Sequence, residues 1–154
     1  SPDYVYTVTK VYKEAAQSVL EKTFTKEKIA AWMEELGTVY NRGFWEGGYY
    51  LGKKLGEWSN SSGSQATKEK ICIGKSTNFF VKSNIAEFLI ESGELHVGEE
   101  VWVTGPTTGI LQTVVKELSD DGQKTDHAVK GDLVTFAVEK RIRKADKLFR
   151  VVAR

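Results

Sequence analysis

The hydrophobic period of this 154-residue chain changes once, and that change limits the folds open to it. Up to Leu36, apolar residues recur at steps of three and four. Beyond about residue 68 they alternate. The first pattern belongs to helices and the second to half-buried strands, so the chain reads as α+β with its helices first. Between the two patterns lies RGFWEGGYYLGKKLGEW, residues 42–58, with five aromatics and five glycines in seventeen positions. Glycines raise the entropic cost of ordering such a stretch, while aromatics need a large apolar surface to bury. A stretch of this kind implies a specific backbone path held against something else.

Ser1, Pro2 and Asp3 have the chemistry of a helix start: a capping hydroxyl, a proline at the first helical position and an acid in the first turn. Val5, Val8, Tyr12, Ala15 and Val19 continue at helical spacing to about Lys22, and Tyr4, Val11 and Leu20 widen the stripe. This predicts a helix lying under another element. A shorter helix is expected over residues 25–36, with Ile29, Trp32, Met33 and Leu36 on one face and Gly37 as its C-terminal cap. Glu34 and Glu35 there oppose the helix dipole slightly.

SNSSGSQAT, residues 59–67, is polar and rich in small residues, which places a linker there. Short β-type runs follow at 70–76, 85–92, 100–104, 110–117, 133–139 and 147–152. Turn chemistry separates them at Lys82-Ser83-Asn84, Gly105-Pro106-Thr107, Asp120-Asp121-Gly122 and Lys130-Gly131-Asp132. Glycines at the bends of residues 93–110 fit a tight corner. Six short strands predict a small closed or nearly closed antiparallel barrel, because a flat sheet would leave edges this sequence does little to protect. The expected division is 1–58 helical connector with its aromatic motif, 59–67 linker and 68–154 barrel.

Composition excludes several classes. Apolar residues make up 40% and charged residues 28%, as in globular proteins, and no apolar run approaches bilayer length. The start shows no signal-peptide pattern, and a first residue other than methionine suggests a fragment or a mature end of something longer. One cysteine, Cys72, excludes an internal disulfide framework and fits a reducing cytoplasm. Net charge is +1, yet residues 139–154 hold seven basic residues and two acidic ones. Such a tail can face phosphate or an acidic partner, or it can be a solvated strand edge; Ile142, Leu148, Phe149 and Val151, read as core-facing, support the latter.

Catalytic constellations do not assemble from the sequence. His96 and His127 each stand alone in turn-like contexts without metal-ligand spacing. Cys72 falls on the opposite strand face from Ile71 and Ile73 and reads as a small packing group. Glu99-Glu100 and Asp120-Asp121 are adjacent acids whose side chains diverge in a strand, so they read as turn or solvent residues. Gly47–Gly52 lacks both the Lys-Ser/Thr of a phosphate loop and dinucleotide spacing. Phe44, Trp45, Tyr49, Tyr50 and Trp58 beside Arg42, Lys53 and Lys54 could stack single-stranded nucleic acid. Alternatively, these aromatics pack between helices and barrel or against a further domain.

Two segments carry a resemblance. SPDYVYTVTKVYKEA, followed by N-R-G-F-W-E-G-G-Y-Y-L-G, looks like the C-terminal region of the collagenase-like peptidases of family U32. There a helix opening S-P-x-Y-V-x-x-V-x-x-x-Y-[RK]-x-A precedes an R-G-F-x-x-G-F-Y-x-G type motif. Arg42, Gly43, Phe44, Gly48, Tyr49 and Gly52 match, with about one extra residue between them here. SGELHVGEEVWVTGPTTG is similar to that family's appended β-barrel, which itself resembles the second domain of translation elongation factors.

The resemblance implies a C-terminal accessory segment of a larger enzyme. Members are named as peptidases, and several are implicated in hydroxylating tRNA, rRNA or ubiquinone precursors. Their chemistry is attributed to an upstream α/β-barrel domain whose cysteines can hold an iron–sulfur cluster. No catalytic residue or cofactor is therefore expected in this segment. The expected partners are that upstream catalytic domain and, if the barrel reads RNA, tRNA or rRNA; no membrane partner is expected. Candidate substrate-binding residues are Arg42, Phe44, Trp45, Tyr49, Tyr50, Arg141, Arg143 and Lys144. If residues 42–58 are a joint to another domain, some of Phe44, Trp45, Tyr49 and Tyr50 should be exposed.

Overall fold

The computed structural model describes residues 2–44 and 63–154. They fall into two compact units, Ser1–Lys68 with Arg154, and Glu69–Ala153. The expected Ser1 cap, and Trp45, Tyr49, Tyr50 and Trp58 of the aromatic run, lie outside the described residues.

The first unit contains α1 (Pro2–Leu20) and α2 (Lys26–Gly37). Proline sits in the first turn of α1 with Asp3 beside it, where a missing N–H and a negative charge are both favourable. The helix stops two residues before the expected Lys22. Lys22 takes a left-handed φ of 56°, and the Thr23 N–H reaches back to the Ser18 carbonyl at 2.8 Å, closing the end in the Schellman manner. Thr25 caps α2, its hydroxyl accepting from the Lys28 N–H at 3.3 Å. Gly37 does not act as the expected cap. It is the last helical residue, and Thr38 with φ −73° follows it. No helix of the described residues is long and apolar enough to cross a membrane.

All six expected strands form in the second unit, as β1 (Lys68–Phe80), β2 (Ile85–Ile90), β4 (Glu100–Gly105), β5 (Gly109–Val114), β9 (Leu133–Ala137) and β10 (Lys147–Ala153). Four strands of three residues join them: β3 (Glu94–His96), β6 (Leu118–Asp120), β7 (Gln123–Thr125) and β8 (His127–Val129). The larger sheet runs β5-β4-β10-β1-β2-β9-β6-β7, and β3 pairs separately with β8. The ladder does not close, since β5 and β7 are its two edges. It still curls over one core of Ile73, Phe88, Ile90, Leu95, Val101, Val103, Leu118, Val134, Ile142, Leu148 and their neighbours. A β-bulge between Ser76 and Asn78 lets the long β1 bend across this core.

The expected turns take the backbone their residues favour. Asn84 has φ 54°, Asp121 has φ 45°, and Gly122 and Gly131 have φ 78° and 101°. Cys72 lies away from the buried Ile73 as expected, but it is exposed rather than a packing group, and Ile71 is exposed as well.

Asp146 is buried at 3% exposure. Its Oδ2 accepts from the Thr108 hydroxyl at 2.5 Å and from the Arg143 N–H at 2.7 Å. Its main-chain carbonyl accepts from the Ser76 N–H at 2.8 Å. A Cβ at Gly105 would run into the same carboxylate, so glycine is needed there. Gly105→Ala should therefore cost about 1–3 kcal/mol through overpacking. Asp146→Ala should cost a similar ~1–3 kcal/mol by taking the acceptor from the part-buried Thr108 hydroxyl and Arg143 N–H. Urea unfolding of each variant measures both, and wild-type midpoints would disprove the clasp.

Candidate docking surface

In the first unit α1 turns Thr7, Val11 and Ser18 inward, while no α2 residue is fully buried. The expected stripe is only partly covered. Val11 is buried and Val8 and Ala15 are half-buried, but Val5 is 60% exposed, Tyr12 67% and Val19 57%.

Polar contacts join the two helices. Lys10 Nζ lies 2.7 Å from Glu35 Oε1, and Trp32 Nε1 donates to Glu14 Oε2 at 3.2 Å. Glu35, expected only to oppose the helix dipole, is thus one half of the inter-helix pair. Phe24 tilts against Trp32 at 5.7 Å. The hydrogen bond to Glu35 raises the Lys10 ammonium above its ordinary 10.5; burial, the next largest effect, opposes it, and the charges of Glu35 and Glu14 add to the rise.

Beyond α2 the side chain of Asn41 organises the turn that presents Arg42. Its Nδ2 donates to the Val39 carbonyl at 2.9 Å and its Oδ1 accepts from the Gly43 N–H at 3.1 Å. Gly43 has φ 91°, a backbone that side chains resist. The turn brings Arg42 and Phe44 beside α1, in a groove of about 520 Å³ whose wall includes Tyr4, Val8, Tyr12, Met33 and Tyr40. Arg42 Nε donates to Tyr40 Oη at 3.2 Å, and no carboxylate pairs with Arg42 among the described residues. Phe44 is 46% exposed, as expected of a joint. Trp45, Tyr49 and Tyr50 lie outside the described residues. Tyr4, Tyr12 and Tyr40 were not singled out as site residues, although Tyr4 and Tyr12 stood on the apolar stripe.

In the second unit Arg141, Arg143 and Lys144 are exposed together on the loop between β9 and β10. Ile142 between them is buried at 1%, so alternation turns its neighbours outward. The readings of four residues need correction here. His96 and His127 lie on strands, directly opposite each other in the β3–β8 ladder. Glu99 is no free solvent residue: it accepts from the His96 N–H at 2.9 Å and forms an ion pair with Arg150. Glu100 starts β4 and accepts from Trp102 Nε1 at 3.0 Å.

Residues 1–60 match peptidase family U32. Over these residues the chain resembles that family. A collagenase of Porphyromonas gingivalis is 48% identical over 149 residues, covering 97% of this chain and 36% of the relative. An uncharacterized protease of Methanocaldococcus jannaschii is 31% identical over 149 residues, covering 96% of this chain and 36% of that protein. The chain thus spans about a third of the length of these curated relatives. A solved C-terminal domain of a Geobacillus thermoleovorans U32 peptidase has 20% identity and a TM-score of 0.49, covering 51% of this chain and 90% of that one.

The Lys10–Glu35 pair carries a pH prediction. A raised folded-state value means that its stabilisation is present below 10.5 and is lost as pH rises through the folded value. Its side chains are 39% and 33% exposed, so solvent screening limits the contribution to a few tenths of a kcal/mol. Lys10→Met should lower stability by that amount at neutral pH and match wild type above about pH 12. Denaturant titrations at both pH values check this.

Proposed function

We propose that this chain is a non-catalytic accessory segment of a U32-family protein. Its helical unit docks on the preceding, catalytic part of the same polypeptide and helps position a macromolecular substrate there. The uncovered stripe of α1 carries the reading. Val5, Tyr12, Val19 and Leu20 are 57–77% exposed, and Tyr4 and Phe44 extend the same apolar character to the groove. Single exposed apolar residues are ordinary, but a contiguous stripe marks an interaction surface. Fully burying a Val- or Leu-sized side chain contributes about 1.5–3 kcal/mol, so covering several would drive docking. The curated relatives extend well beyond the matched third and leave ample chain for such a partner. The Porphyromonas gingivalis relatives are named collagenases, so a protein substrate is the first class to test.

The exposed Arg141, Arg143 and Lys144 favour a second reading, in which the β unit holds the phosphate backbone of tRNA or rRNA for a hydroxylating parent. An iron–sulfur cluster in the preceding part and a cytoplasmic setting would go with it.

Mixing the chain with the separately expressed preceding part should give a complex on gel filtration. Tyr12→Glu with Val19→Glu should remove the complex and leave the circular dichroism of the chain unchanged; a complex indifferent to both changes would refute docking through α1. Sustained gelatin cleavage by the purified chain alone would refute a non-catalytic role. On the RNA reading, tRNA affinity should fall steeply with salt and weaken with Arg141→Ala plus Arg143→Ala. Binding that ignores salt would remove that reading.

A further inference from the structure

We propose that His96 and His127 form a two-imidazole chelate for a borderline-soft divalent transition metal, such as Zn²⁺, Ni²⁺ or Cu²⁺, on the outer face of the β3–β8 ribbon. The register places the two residues directly opposite each other. The Val97 N–H donates to the Asp126 carbonyl at 3.0 Å, which makes 97/126 a hydrogen-bonded pair. Antiparallel ladders alternate, so 96/127 is the other kind of pair, in which side chains approach most closely. Leu95 and Ala128, one step along each strand, are 0% exposed. Alternation therefore sends both imidazoles to the outer face, on a backbone anchored in the core. Their ring centres are 5.9 Å apart with the planes inclined at 23°. Two imidazoles bound at usual Zn–N lengths to one tetrahedral ion have centres roughly 5 Å apart, close to the spacing here.

The surroundings select the ligating nitrogen. Glu99 Oε2 lies 3.9 Å from His96 Nδ1, and the ion pair with Arg150 holds this carboxylate in place. A carboxylate on that side favours the proton on Nδ1 and leaves the Nε2 lone pair to the metal. Imidazole donors suit zinc, nickel and copper rather than magnesium or calcium. No cluster of three or more His, Cys, Asp or Glu residues suited to a metal occurs among the described residues, so water completes the coordination shell. Such a site exchanges its ion readily. It staples two three-residue strands that have little ladder of their own.

The test uses the full 154-residue chain carrying Cys72→Ser, which removes the exposed thiol as a competing ligand. Calorimetric titration with ZnCl₂ should give saturable uptake of one equivalent, and the melting temperature should rise with zinc concentration by mass action. His96→Gln and His127→Gln should each weaken uptake at least about tenfold, since even loss of outer-sphere support costs that much. In the chain with both histidines intact, zinc should slow carbethoxylation of both by diethylpyrocarbonate, a readout that needs no histidine variant. Absence of saturable uptake, uptake surviving in both variants, or unprotected histidines would overturn the site.

Discussion

The carboxylate of Asp146 is the contact on which the geometry of the β unit turns. It ties the β4–β5 turn, through Thr108, to the loop that enters β10, through the Arg143 N–H. The adjoining main chain exchanges hydrogen bonds with Ser76 at the bulge of β1. A buried carboxylate is costly unless it is hydrogen-bonded, and here a hydroxyl and a main-chain N–H both donate to Oδ2 in place of a cation. The same compactness dictates glycine at 105, since a side chain there would displace the acid. Loop, hairpin and long strand are therefore fixed together. Ala145 accepts a left-handed φ of 70° to make this possible, a conformation that costs about 1–2 kcal/mol and must be held by its surroundings.

Among the described residues of the helical unit nothing is comparable. The buried ones there are Thr7, Val11, Ser18 and Val39, of which two are hydroxyl residues. Short helices are marginal in water and draw their stability from packing an apolar face. Here much of that face is exposed, and among the described residues a partly exposed ion pair and one indole hydrogen bond join the helices. Exposed pairs contribute little. A unit built in this way gains most of its stability when something covers the α1 stripe, so docking and folding are thermodynamically linked. The family match over residues 1–60 coincides with this under-packed unit, whereas the well-packed β unit lies outside it.

The readable parts of the fold were those whose signals are local. Alternation marked all six longer strands, and Asn84, Asp121, Gly122 and Gly131 announced their turns by residue type. The four three-residue strands are too short to alternate recognisably, and they exist through pairing with distant partners. His96 and His127 looked solitary because their proximity depends on a register between strands 31 positions apart in the chain. Asp146 carried no signal either, since its burial rests on Thr108 and Gly105. The α1 stripe was read correctly as apolar, but it is covered only in part, at Val11, Val8 and Ala15. Periodicity says which face is apolar, while only tertiary contacts say what lies on it.

The basic tail shows how far a charge count can mislead. An open sheet has an exposed edge at β5, and the sequence seemed to leave such edges unguarded. Lys140 guards this one, its ammonium donating to the carbonyls of Thr108 and Ile110 at 3.0 and 2.6 Å. Arg150 is engaged by Glu99, and Arg154 donates to the Ser64 carbonyl at 3.3 Å. Those three bases serve strand pairing and local structure. Arg141, Arg143, Lys144 and Lys147 remain exposed; of the two acids in this stretch, Asp146 is turned inward on neutral donors and Glu139 is exposed at the start of the loop. A potential confined to one short loop reaches only about a Debye length, roughly 8–10 Å at physiological salt. An anionic partner of this unit would therefore meet that loop rather than the whole tail, and its affinity would be set by few contacts and would depend strongly on ionic strength.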